Sequence, residues 1–214
     1  MAHRSGSELL ALHGVRVLGG PSVAAVAARF RLAPTDVREH LLDAQAYGWV
    51  NRHEHYGETW SLTASGKAED ERRLGAELDA VGCRDVVTAA HRAFLPLNRR
   101  HGEACTRWQL RPQPWDALAA NDHTDLRWDH AVLTDLDGID AGLNHGLEPV
   151  ATELERFGGY AQLHRQALVK VRGGHPEWLD SPAVESCQLI WIQLHEDLLA
   201  TLGIPRGSDT VAPE

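Results

Sequence analysis

The chain has little cysteine, lysine, methionine or phenylalanine: its 214 residues include three Cys, two Lys, one Met and three Phe. The cysteines, Cys83, Cys105 and Cys187, are odd in number, widely spaced and form no CxxC pair. That excludes a disulfide framework or a zinc ribbon, and buried thiols in a reducing compartment are expected. No apolar run approaches the roughly 20 residues needed to cross a bilayer, and the opening MAHRSGSELL has no apolar signal core, so no membrane partner and a cytoplasmic location are expected. Phosphate loop, nucleophile elbow, dinucleotide fingerprint and HExxH are all missing. Catalysis, a cofactor and a bound metal therefore have no positive support.

What is present is ordinary for a folded protein: 43% hydrophobic and 24% charged residues, over a length that suits two domains. The net charge of −9 argues against general affinity for nucleic acid. The charge is uneven, however. Residues 1–67 carry seven Lys/Arg and six Asp/Glu, whereas 83–214 carry twelve and nineteen. A nearly neutral head on an acidic body predicts different partners for the two parts.

In the head, Leu9, Leu12, Val15 (or Arg16) and Leu18 keep helical spacing, with Ser7 as the expected N-cap and Gly19-Gly20 as the stop. Pro21 stands where a second helix is expected to begin, and Val23, Val26, Ala27 and Phe30 follow at i, i+3, i+4, i+7. A third helix opens at Pro34, places Val37 and Leu41 inward and ends at Gly48. Thr35, Asp36, Arg38, Glu39 and Asp43 take its solvent face. Beyond Gly48 the period changes to that of strands, and NRHEHYGETWSLT predicts a hairpin turning near Tyr56-Gly57-Glu58. Thr63 or Ser65 then caps another helix.

Helix, helix, helix, hairpin, helix is the order of a winged helix. The segment GWVNRHEHYGETWSLTASG resembles the wing of MarR- and PadR-like winged-helix transcriptional regulators through Gly48, Trp49, Val50, Arg52, Trp60, Leu62, Thr63 and Gly66. The likeness covers residues 7–80. It implies a third helix in the major groove and a wing over the adjacent backbone, hence double-stranded DNA as partner and a homodimer reading two half-sites. Thr35, Arg38 and Glu39 would then face base edges, and Arg52, His53, His55 and Lys67 would approach phosphates. Two departures stand out. Arg31 holds the turn position that is usually glycine, and the third helix sets Arg38 against Asp36, Glu39 and Asp43. A winged helix that docks protein rather than DNA stays open.

From Cys83 onward the pattern is helical throughout. RDVVTAAHRAFLPLNRRHGEACTRWQL predicts a helix with a kink at Pro96, and RPQPWDALAANDH a loop. Leu133, Leu136, Ile139, Leu143, Leu147, Val150, Leu154 and Phe157 predict one long amphipathic helix over about residues 124–156. Within it Gly138, Gly142 and Gly146 recur every fourth residue, as for close approach of another helix, unless the helix breaks near Gly138. Two further helices follow, one with Leu163, Ala167 (or Leu168) and Val171 inward, the other started by Ser181 and Pro182. The expected fold is mainly α: a winged helix-turn-helix over 1–82, an all-α helical bundle over 83–204 and a flexible tail over 205–214.

The bundle's aromatic and histidine residues suggest a small-molecule effector site, with Trp108, Trp128, His130, Tyr160, His164, Trp191 and His195 as its expected lining. Scattered His, Asp and Glu residues, His123, Asp129, His145 and Glu185 among them, leave a metal-binding bundle as an alternative. The densest stretch, NDHTDLRWDH (121–130), reads as the polar start of the long helix, capped by Asp122 or Thr124. It leaves Trp128 and His130 as candidates to point inward.

Overall fold

The computed structural model describes residues 1–55 and 57–208; Tyr56 of the expected wing turn and 209–214 of the expected tail lie outside the described residues. The fold is mainly α and divides into two compact units. One comprises Met1–Thr88, Val150–Phe157 and the segment beginning at Gln193; the other comprises Ala89–Pro149 and Gly158–Ile192.

In the first unit, α1 (Ser7–Leu18), α2 (Val23–Phe30) and α3 (Pro34–Ala46) precede an antiparallel hairpin of β1 (Val50–His53) and β2 (Thr59–Leu62), and α4 (Ala64–Val81) follows. Three helices and a two-stranded hairpin in this order are compatible with a winged helix. The caps differ from expectation at two places. Gly6 occupies the N-cap of α1, and Ser7 instead bonds the ring of His40 at 2.9 Å. Ser22, not Pro21, starts α2, its Oγ accepting from the Ala25 amide. Pro21 stays outside, where its carbonyl accepts the Trp60 amide at 3.0 Å and ties β2 to the α1–α2 connection. Pro21 lacks an N–H, but its carbonyl is free for this role.

Arg31 closes α2 at φ 54°, ψ 44°, the left-handed conformation that glycine adopts at least cost. The register Val50↔Leu62 and Arg52↔Trp60 turns Val50 and Trp60 onto a core with Leu12, Val15, Val26, Phe30, Val37 and Leu41. Thr63 caps α4 by accepting from the Gly66 amide at 3.0 Å. Gly66 has a separate reason to be glycine: a Cβ there would lie 1.9 Å from the Trp49 carbonyl oxygen. The Leu-Thr-x-x-Gly ending is thus a backbone-on-backbone contact between the first turn of α4 and the chain entering β1.

The second unit draws on α5 (Arg84–Gln109), α6 (Leu126–Glu153), α7 (Tyr160–Arg172), α8 (Glu177–Asp180) and α9 (Cys187–Leu202). Pro96 does not end α5; it is exposed, while Ala90, Phe94, His101, Ala104 and Trp108 recur on the buried side. The glycines of α6 meet α5. Cβ atoms at Gly142 and Gly146 would lie 3.1 Å from Leu97 and 3.6 Å from Ala93, and Gly138 faces Arg100 at 3.6 Å. The helix does not break, and the small residues admit its neighbour. It does stop at Glu153, so Leu154 is buried just beyond its end and Phe157 in a separate 3-10 turn at Glu155–Phe157. Asp125 caps it, accepting from Arg127 and Trp128 at 3.1 and 3.4 Å, whereas Asp122 turns back on Thr124. Likewise α9 starts at Cys187 with Ser186 as cap, six residues beyond Ser181. No single helix among the described residues is long and apolar enough to cross a membrane.

Candidate nucleic-acid interface

Val37, Leu41 and Ala44 bury one side of α3, which turns Thr35, Arg38, Glu39, Leu42 and Asp43 to the surface. Arg52, His53, His55 and Lys67 are exposed on the hairpin and the first turn of α4. All seven residues expected at a DNA surface therefore lie on the surface of one unit, but the charges of Arg38 and Arg52 are engaged. Glu58, at the start of the returning strand, receives Nη1 and Nη2 of Arg38 at 2.9 and 2.8 Å and Nε of Arg52 at 3.2 Å. The Arg38 fork, with Arg52 beside it, holds the Glu58 carboxyl below its usual range. Arg52 also pairs with Glu54 at 3.0 Å and lies 6.0 Å over the Trp60 ring. His53 bonds Ser61 at 2.8 Å, and Thr35 bonds Asp36 at 3.1 Å.

Beneath this surface lies a charged cluster that no periodicity announces. His13 of α1 is fully buried, with Nδ1 3.3 Å from Asp70 of α4 and Nε2 3.1 Å from Asp197 of α9. Burial opposes a charged ring, but the two carboxylates outweigh it and raise the pKa to about 9. Both ring nitrogens then carry protons and donate. Burial works to raise the Asp197 carboxyl; His13 first, then Arg156, holds it down at about 2. Arg16 reaches Asp70, Glu71 and Glu196 at 3.4, 2.9 and 2.8 Å. Arg156 joins Glu77, Ser5 and Thr201. Every charge here has an opposite partner, the condition for burying ions at all. The set clamps α1, α4 and the C-terminal part of α9, and the His13 ring is sealed from any substrate.

In the second unit the expected effector residues separate. Trp191 is sandwiched between Phe94 (4.9 Å) and His101 (4.3 Å, 8° between planes), and its Nε1 donates to Asn98 at 2.8 Å. His164 joins this stack, with its Nδ1 3.1 Å from Asp140. Burial works to raise the Asp140 carboxyl, but His164 and Arg165 hold it below its usual range. Burial, with His164 nearby, pushes the pKa of His101 down to about 3, so its ring is neutral. Burial also pushes the Cys105 thiol, 3.6 Å from the His101 Nδ1, up to about 12 and raises that of Cys187. All three cysteines are free and buried, and these two carry no thiolate at neutral pH.

Trp108 is buried elsewhere, 4.5 Å from the ring of His123, while Tyr160 is fully buried. Trp128 is half-buried and donates to the Arg107 carbonyl at 2.7 Å; His130 is exposed. His195 is half-buried on the part of α9 that belongs to the first unit.

NDHTDLRWDH forms a local lock. Asn121 donates to the Trp108 carbonyl (3.0 Å) and to Asp129 (2.8 Å), and His123, at φ 56°, places Nδ1 3.0 Å from Asp129. The buried polar side chains of this stretch are thus Asn121 and Asp129, whereas His130 is exposed. A surface groove lies elsewhere in the unit, with a volume of about 480 Å³, lined by Gln162, Arg165, Gln166, Lys170 and Trp178 among others. None of the seven residues expected to line an effector site lines this groove. Arg165, Gln166 and Val169 follow helical spacing, but as a polar stripe they read as plain solvent face. Among the described residues no group of three or more His, Cys, Asp or Glu is arranged to hold a metal ion.

Comparison of the chain with protein-family models, curated proteins and solved structures finds no match.

Proposed function

We propose that this chain is a DNA-binding transcriptional regulator acting as a homodimer, its first unit reading DNA and its second dimerising, sensing a small molecule, or both. The observation that carries the reading is the surface built by α3 and the hairpin. It sets Thr35, Arg38 and Glu39 on one exposed helix and Arg52, His53 and His55 on the adjoining strand region, over a core that fixes both. An α-helix of that size fits the major groove, and guanidinium groups beside it suit phosphate. For the second unit, the groove flanked by Trp178, Arg165 and Lys170 supports a ligand site. Exposed Trp115, Leu118 and Leu126 supply apolar surface of the kind that partner subunits cover.

The test is fluorescence anisotropy of labelled genomic DNA fragments titrated with the protein from low to physiological salt. Affinity that falls steeply with salt and weakens in Arg38→Ala and Arg52→Ala supports the reading. No affinity at the lowest salt overturns it. A second reading, a winged helix that docks another protein, is favoured by exposed Leu42 and Tyr47, the latter stacked on Trp49 at 4.6 Å. It requires the purified chain to ignore DNA at every salt concentration.

A further inference from the structure

We propose that Arg38 and Arg52 form one binding site for a phosphodiester group, and that in the free protein Glu58 occupies this site as an internal stand-in for the phosphate. The inference rests on the DNA-binding reading and goes beyond it, because it assigns a role to a carboxylate and moves Arg38 from base edge to backbone.

The geometry is that of an anion site already filled. Two N–H donors of Arg38, on α3, engage the two oxygens of a single carboxylate, and the Arg52 guanidinium, on β1, pairs with the same group at 3.2 Å. The Arg38 contact is bidentate and parallel, the arrangement guanidinium groups make equally with carboxylate and with the two non-bridging oxygens of a phosphodiester. Arg52 is held by the Trp60 ring beneath it and by Glu54, so its position does not depend on Glu58 alone. Arg38 is 46% and Arg52 35% exposed, against 23% for Glu58, so the carboxylate lies inside the fork and the cations remain reachable from solvent. A phosphate arriving at this face therefore meets cations whose charge is already balanced. It gains their hydrogen bonds only by displacing Glu58 into water.

Two consequences separate this arrangement from simple surface repulsion. Neutralising Glu58 without changing its shape frees Arg38 and removes one of the two carboxylate partners of Arg52, so DNA affinity rises and its salt dependence steepens as these charges engage phosphate. The gain also acts through the arginines and vanishes without them. A carboxylate that only repelled DNA at a distance would be felt with or without Arg38 and Arg52.

The experiment measures binding of a labelled mixed-sequence duplex of about 30 base pairs to the full chain and to Glu58→Gln, each in the native and the Arg38→Ala/Arg52→Ala background, across a salt series. The proposal expects Glu58→Gln to bind about tenfold more tightly at low salt, with a log–log salt slope steeper by about one to two. It expects no gain in the double-alanine background. Circular dichroism confirms that each variant is folded. Native protein that binds DNA with salt-dependent affinity while Glu58→Gln gains nothing overturns this inference and leaves the DNA reading standing. A gain of equal size in the double-alanine background also overturns it. No binding by either the native chain or Glu58→Gln at low salt overturns the DNA reading and the inference with it.

Discussion

Raising the pH from 7 to 9 should loosen the first unit, because His13 is stabilised there as an imidazolium. The ring is fully buried between Asp70 and Asp197, and its pKa stands at about 9 against 6.5 for a free histidine. A pKa raised in the folded state contributes stability that is complete below the unfolded value and lost as pH climbs through the folded one. At about 1.4 kcal/mol per pKa unit, the full contribution is about 3 kcal/mol, and about 2 kcal/mol of it disappears between pH 7 and 9. The depressed Asp197 belongs to the same pair and is not counted again. Removing the ring is harsher. His13→Leu takes from Asp70 and Asp197 the cation they share, with Arg16 and Arg156 remaining at 3.4 and 3.5 Å, and breaking a buried pair this way costs about 3–5 kcal/mol. The assay is ¹⁵N-detected NMR of the histidine rings, with denaturant melts at pH 6, 7, 8 and 9. His13 should retain both ring protons at pH 8 and titrate near pH 9, and the native protein should weaken above pH 7 while His13→Leu shows a flatter profile. A His13 ring that titrates near 6.5, or native stability level from pH 7 to 9, would refute the reasoning.

Two backbone positions give further checks. Gly66→Ala forces a methyl group to within 1.9 Å of a carbonyl oxygen, so thermal melts should show a loss of about 2–3 kcal/mol, far beyond the small effect of alanine at an ordinary helical glycine. Arg31→Gly relieves a left-handed residue whose side chain is exposed and should stabilise by about 0.5–1 kcal/mol in the same assay, part of the strain relief being offset by glycine's freer unfolded chain.

What was legible in the sequence was what repeats. Val23, Val26, Ala27 and Phe30 place α2 by spacing alone, and Gly138, Gly142 and Gly146 announce a close neighbour correctly because only a facing backbone or side chain makes a line of small residues useful. Ends of elements were less legible. Several residues near each start can cap, and the choice among Asp122, Thr124 and Asp125, or between Ser181 and Ser186, depends on where the preceding loop delivers the chain. The exposed face of α3 was readable residue by residue, but its neutralisation was not. Arg38 and Glu58 are 20 positions apart, and only the return of the hairpin beside α3 joins them. The buried cluster was hidden for the same reason on a larger scale: His13 and Asp197 are 184 positions apart, and each alone looks like a surface residue of an amphipathic helix.

That separation has a consequence for synthesis. Residues 7–81 are synthesised before residues 150–202 and contain α1 to α4 and the hairpin. They also contain His13 and Glu77, whose partners Asp197 and Arg156 lie 184 and 79 positions further along the chain. Until Arg156 is made, Glu77 lacks the guanidinium that lets it be buried, so the part of α4 that carries it cannot pack fully. Packing of this unit is therefore completed only once residues 150–157 and the segment beginning at Gln193 have been made.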